Sequence, residues 1–231
     1  MERCESEPAL AEALNARAPA VAAAACRAGG GRTIFLSTEY VFDGAAGPYG
    51  EEDPVCPISV YGRTKLEGEW AVLAADPAAL AVRTTVVFSF LPGDKNFLMQ
   101  LIDRLGAGEV MRVPDDQVSS PTYAPFLAGT IAALLGEVRG LLHVAGGEVM
   151  DRYSFAIRAA TALGLDTRLL QPVRTSQLGQ RAMRPLQAGL KVARLSALGM
   201  PPGPLDGALA AVREQRRQLA AAPGGANPPG A

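Results

Sequence analysis

Two rhythms of apolar and polar positions run along the chain. Residues 6–28 place Ala and Leu at helical spacing. Ser6 fits an N-cap, Pro8 is tolerated in the first turn, and Pro19 should break or restart the helix. Gly29-Gly30-Gly31 ends that run, and Thr33 to Leu36 follows as a short, continuously apolar stretch of the kind that forms a buried parallel strand. Residues 43–58 carry Gly44, Gly47, Pro48, Gly50, Pro54 and Pro57, which predicts a long loop, and a loop this long in a compact domain is usually functional. A helix is expected from Val60 to Ala75, stopped by Asp76-Pro77. Further on, the pattern predicts a strand over Leu80 to Phe88, a helix over 94–106 and a strand over Val110 to Val113. It then predicts a helix over Tyr123 to Val138, a strand over Gly140 to Ala145, and a helix over Asp151 to Leu163 with Asp151 as N-cap. From Ala220 onward Ala, Pro, Gly and Asn predict a disordered tail. Strands alternating with helices indicate α/β layering.

Composition narrows the class. The chain has 231 residues, 48% of them hydrophobic and 19% charged, enough to bury a substantial core. Its 22 basic and 23 acidic residues leave a net charge of −1, which gives no electrostatic reason to expect nucleic acid or an anionic membrane as partner. Cys4, Cys26 and Cys56 are scattered and odd in number, so neither a disulfide framework nor a metal-ligand spacing is present, and they read as idle thiols. The single histidine excludes a His-rich metal site. The N-terminus is acidic and polar rather than a signal peptide, which makes the cytoplasm the expected compartment.

Candidate chemistry gathers around Ser37 to Gly44 (STEYVFDG) and Tyr61 to Lys65 (YGRTK). Tyr61 and Lys65 are four apart and share one face of the predicted helix. Thr38 ends a buried strand, and ligands of open α/β sheets bind at that end. A tyrosine, with a pKa of about 10, is a sluggish proton donor near neutrality unless a neighbouring ammonium lowers that value. These three residues therefore read as a proton-transfer set for an oxygen that gains charge. Tyr and Lys at this spacing are common on solvated helix faces. The order strand, STEYVFDG, Gly/Pro loop, Tyr-Lys helix gives the pair its weight. Elsewhere the plain readings hold: Asp115-Asp116 as a solvated loop, His143 as a structural strand residue, Trp70 as core, and Arg213, Arg216 and Arg217 as a solvated helix end. Glu51, Glu52 and Asp53 lie in the long loop, where a carboxylate can help place a substrate.

STEYVFDG followed by PYGEEDPVCPISVYGRTKLEGE resembles the segment ST-D-YVFDG…PY-x-E-x-D…P-x-x-x-YG-x-[ST]-K-x-x-GE of the dTDP-4-dehydrorhamnose reductases. These are RmlD-like members of the extended short-chain dehydrogenase/reductases, related to the regulatory β subunit of methionine adenosyltransferase. CESEPALAEALNARAP, LAVRTTVVFS, DQVSSPTYAPFLA, GLLHVAGGE and RPLQAGLKVARLSALGM resemble further family segments, so that the resemblance spans roughly residues 2–215. It implies a Rossmann-like doubly wound parallel sheet with a small C-terminal α+β substrate-binding lobe. The domain would cover 1–220, the lobe lying mainly in 94–125 and 147–215, with 221–231 as tail. By the same resemblance Tyr61 is the general acid, and Lys65 lowers its pKa and holds the nicotinamide ribose. Thr38 orients the substrate carbonyl oxygen, and Arg184 contacts a nucleotide-sugar phosphate. NADPH or NADH is the implied hydride donor, and a keto nucleotide sugar the implied substrate. A non-catalytic binding or regulatory protein on the same fold is the alternative.

Three departures stand out. Glu39 replaces the usual Asp, a change expected to be neutral, and Ser119 replaces a usual Gly. No G-x-x-G-x-x-G precedes Thr33, and the Gly29-Gly30-Gly31 stretch precedes a strand instead of following one. That motif receives the cofactor pyrophosphate. The chain is therefore expected to be N-terminally truncated, its first strands missing, or to have lost its dinucleotide site. Weak NADPH binding, impaired reductase activity and, through an open sheet edge, homo-oligomer formation are the corresponding expectations.

Overall fold

A computed structural model describes residues 1–221. Helix α1 spans Glu2–Ser6 and α2 spans Pro8–Glu12. A π-helical turn follows over Ala13–Arg17, then α3 over Ala18–Ala28. The helical region thus begins earlier than expected, and Ser6 ends a helix rather than capping one. Pro19 does mark a restart. It has no N–H to give to the carbonyl of Asn15, and the backbone widens into the π turn just before it.

Strand β1 (Ile34–Thr38) leads to the long loop, then to α4 (Val60–Ala75) and β2 (Leu80–Thr84). The remaining elements are β3 (Val87–Phe88), α5 (Phe97–Gly106), β4 (Met111–Pro114), β5 (Val118–Ser119), β6 (Thr122–Tyr123) and α6 (Ala124–Ala133). They are followed by β7 (Gly140–His143), β8 (Met150–Asp151), α7 (Arg152–Leu163), β9 (Leu170–Val173), α8 (Ala193–Ala197) and α9 (Leu205–Ala221). Helix α9 carries Ala220 and Ala221, so the helix runs past the expected start of the tail; residues 222–231 lie outside the described residues.

The central sheet is parallel, in the order β1-β2-β7, with Ser37 beside Arg83 and Thr38 beside Thr84. Parallel strands need helical crossovers, which cover both faces. On one face Leu80, Val82 and Leu142 meet Leu127, Leu134 and Leu195 from α6 and its neighbours. On the other, Phe35, Ala79 and Ala81 meet Ala23 of α3 and Val72 of α4. Strand β2 is consequently buried along its whole length. A second core lies apart from this sheet. The parallel pair β4-β9 and helices α5, α7 and α9 close around Phe88, Leu101, Phe155 and Leu209. No helix among the described residues is long and apolar enough to cross a membrane.

The single strand expected over Leu80 to Phe88 is two strands. Val86 takes φ +39, a value costly for a β-branched residue, and the turn it makes sends Val87–Phe88 to pair with β6. Trp70, expected in the core, is 60% exposed. Helix α4 instead buries Gly62, Thr64, Leu66, Gly68, Glu69 and Val72, a face chosen for close approach and polarity rather than apolar bulk.

Gly68 shows the constraint. A Cβ there would lie far inside contact distance of the Asn15 carbonyl oxygen, the one left without its helical donor by Pro19, and would also crowd the Phe35 ring. The Asn15 amide group donates to Thr64 Oγ1 at 2.9 Å, fixing the same crossing. Gly68→Ala should therefore destabilise the chain by about 1–3 kcal/mol through overpacking. Urea denaturation of the two proteins measures this, and an unchanged midpoint would show that the helices separate freely.

Candidate functional site

Helix α4 is held at its start by two carboxyl or hydroxyl acceptors. Ser59 Oγ accepts the Gly62 N–H at 3.1 Å, and Glu5 Oε1 accepts the Val60 N–H at 2.8 Å. Capping of this kind fixes the first turn, on which Tyr61 stands. Gly62 has no Cβ because the Tyr40 carbonyl oxygen occupies that space. Tyr61 therefore sits against the short turn Glu39–Val41, its ring edge-on to Tyr40 with centroids 5.7 Å apart. Thr38, at the end of β1, is buried and accepts the Tyr40 N–H on its hydroxyl at 3.2 Å.

Thr38 and Tyr61 line one cleft of about 260 Å³ at the carboxyl ends of β1 and β2, together with Glu39, Tyr40, Thr84, Thr85 and Arg152. Lys65, one turn further along α4, points to the same strand. Its ammonium donates to the Leu36 carbonyl oxygen at 2.6 Å and lies 4.0 Å from the centre of the Phe35 ring. Burial pushes Lys65 down to about 8, against the opposing pull of the Glu69 carboxylate. Tyr61 was expected to be lowered by Lys65. Instead burial raises it above its ordinary value, with Thr38 acting in the opposite direction. The ammonium is spent on a backbone carbonyl and an aromatic face, and desolvation of the phenol dominates.

Beneath these groups lies a sealed polar cluster. Arg83 on β2 donates to both oxygens of Glu69 on α4, at 2.9 and 2.7 Å, and the two side chains are 3% and 2% exposed. Ser37 on β1 donates to the same carboxylate. The guanidinium also lies 5.1 Å from the centre of the Phe42 ring. Glu69 is four residues after Lys65 and eight after Tyr61, so one helix face carries all three.

Arg184, expected on a substrate phosphate, is engaged within the chain. It pairs with Glu2 at 2.9 Å and donates to the Ala182 carbonyl oxygen at 2.8 Å. The loop carboxylates also serve the fold: Glu51 accepts the His143 N–H at 3.0 Å, and Asp53 accepts the Gly50 N–H at 2.8 Å. His143 is fully buried, and burial lowers it to about 4.

Two residues of the cleft escaped the sequence reading. Glu39, treated as a neutral replacement, is 3% exposed, accepts the Gly189 N–H at 3.0 Å, and is pushed up to about 7 by burial. Arg152 was not singled out. Its sequence signal was its position. It directly follows the N-cap Asp151, at the positive end of a helix, where a cation is disfavoured. A separate, mostly apolar cavity of about 270 Å³ lies between Phe88, Tyr123, Pro202 and Leu205 and shares none of these groups.

The RmlD substrate binding domain family model matches residues 1–217. The dTDP-4-dehydrorhamnose reductase of Mycolicibacterium smegmatis is 38% identical over 208 residues, covering 87% of this chain and 63% of that protein. The chain therefore spans less than two thirds of that relative's length. Methionine adenosyltransferase 2 subunit beta of Danio rerio is 33% identical over 196 residues, 81% of this chain and 61% of that protein. Among solved structures, the dTDP-4-dehydrorhamnose reductase of Bacillus anthracis in complex with NADP superposes with a TM-score of 0.86. It is 28% identical, over 93% of this chain and 76% of that one.

Glu69→Gln leaves Arg83 buried without its counter-charge. It should cost about 3–5 kcal/mol, read as a lower urea midpoint. A loss below about 1 kcal/mol, the usual worth of an exposed pair, would show that the cluster does not hold the helix to the sheet.

Proposed function

We propose, for a chain that belongs to the RmlD substrate-binding-domain family, that it reduces the ketone of a keto nucleotide sugar, with NADPH or NADH as hydride donor and the cytoplasm as its compartment. The observation that carries this reading is the pairing of Thr38 with Tyr61 in one cleft at the carboxyl ends of parallel strands, where α/β folds place their ligands.

A reduced nicotinamide, when bound, would supply a hydride to the carbonyl carbon. The chain's residues handle the oxygen. Thr38 offers its hydroxyl as a donor to the oxygen, which gains charge as the carbon is reduced. Tyr61, raised by burial, is fully protonated at neutral pH and gives its proton to that oxygen. Lys65 uses one of its three N–H bonds on Leu36, and the two that remain suit the hydroxyls of a ribose beside the exposed Leu36 side chain.

Similarity to the methionine adenosyltransferase β subunit supports a second reading, a nucleotide-binding regulator that performs no turnover. The assay separates the two. Reduction of dTDP-4-dehydrorhamnose, followed by loss of nicotinamide absorbance, should be detectable but impaired in the wild type, as the lack of a G-x-x-G-x-x-G before Thr33 implies. Tyr61→Phe should lower kcat by about 10²- to 10⁴-fold and leave nucleotide affinity within a few-fold, because it removes a proton donor and little surface. Nucleotide binding without turnover in the wild type would favour the regulator. Turnover unchanged in Tyr61→Phe would remove Tyr61 from the chemistry.

A further inference from the structure

Arg152 is the one cationic side chain lining the cleft that holds Thr38 and Tyr61, among the described residues. Its Nε is sealed from solvent with no hydrogen-bond partner, and the side chain makes no ion pair within 4.0 Å among the described residues. Its guanidinium lies 5.1 Å from the centre of the Phe97 ring, which supports the group's position and leaves its charge uncompensated. Arg152 is half-buried, and a partly desolvated cation without a counter-ion is costly, a cost that a ligand completing the pair would offset. Its place on the first residue of α7 adds to the cost, since the dipole there repels positive charge.

Neighbouring groups do not supply the missing anion. Glu39 is nearest in kind, but its carboxyl is held by the Gly189 N–H, and burial raises it to about 7 despite the guanidinium. A true counter-ion would be lowered. Tyr40 lies close and is also raised by burial, so it carries no charge. Arg184, the other arginine near this cleft, is neutralised by Glu2.

We propose that Arg152 is the oxyanion-binding residue of this cleft, and that it takes the phosphate attached to the sugar of a nucleotide-sugar substrate. This rests on the reading of the site as a nucleotide-sugar reductase. The planar guanidinium fork matches phosphate oxygens, and a cleft of about 260 Å³ keeps a group held by Arg152 close to the sugar that Thr38 and Tyr61 would contact. The role expected of Arg184 thereby passes to a residue whose charge is free.

Calorimetric titration of the full chain with dTDP-glucose, inorganic pyrophosphate and UDP-glucuronate tests it, alongside thermal melts. Arg152→Gln should weaken dTDP-glucose and pyrophosphate by about tenfold or more, with Tm unchanged or raised, because an uncompensated charge has been removed. Arg152→Lys should recover part of the affinity. Undiminished dTDP-glucose binding by Arg152→Gln overturns the proposal, as does a lowered Tm with affinity intact, which marks a structural cation. A loss confined to UDP-glucuronate overturns the phosphate assignment and points to a sugar carboxylate. Wild-type binding of pyrophosphate through Arg152 without binding of either nucleotide sugar upholds the oxyanion site and removes the reductase reading. No binding of any probe by the wild type removes both.

Discussion

The buried pair of Glu69 and Arg83 is the contact on which the arrangement of the site depends. It joins three elements at one point: α4 through Glu69, β2 through Arg83 and β1 through Ser37. Two charges taken from water at 2% and 3% exposure need close partners, and here the carboxylate receives the Nε–H and an Nη2–H of the guanidinium and a hydroxyl, while Arg83 Nη1 is buried without a partner. Such a contact tolerates little sliding. Because Ser37 and Arg83 are register partners, the pair also fixes Thr38 beside Thr84, and the helix residues one and two turns before Glu69 are Lys65 and Tyr61. The position of the tyrosine relative to the threonine is thus set from below, by a group that takes no part in proton transfer.

Close backbone approach does the rest. Gly62 admits the Tyr40 carbonyl and Gly68 admits that of Asn15. The glycines, the Asn15 amide and the break at Pro19 form one device that presses α4 onto both the N-terminal helices and the turn after β1. Burial then sets the chemistry. The phenol of Tyr61 rises and the ammonium of Lys65 falls, so each group is biased toward its neutral form.

Much of this was legible in the sequence. The end of α4 followed from Asp76-Pro77, and the start of α7 from Asp151, whose side chain accepts the Ser154 N–H at 2.8 Å. Both are local signals of capping and breaking. Trp70 was misplaced because helix polarity was judged by apolar bulk, whereas α4 buries glycines and a glutamate. The break at Val86 was invisible because a run of apolar residues says nothing of a positive φ. The engagement of Arg184 by Glu2 joins residues 182 positions apart, beyond any local pattern. The free charge of Arg152 was hidden for the same reason, since what matters is the partners it lacks in three dimensions.

The central claim is that α4 is pinned so that Lys65 stands desolvated against β1. The sequence holds three lysines, Lys65, Lys95 and Lys191, so each can be followed separately by NMR in protein labelled at lysine alone. Titration of the wild type should show an ammonium losing its proton at about 8, and Lys65→Met should delete that resonance. A Lys65 resonance titrating near the ordinary ammonium value of about 10.4 would contradict the account, because Lys65 would then stand in water and α4 would not be seated as described.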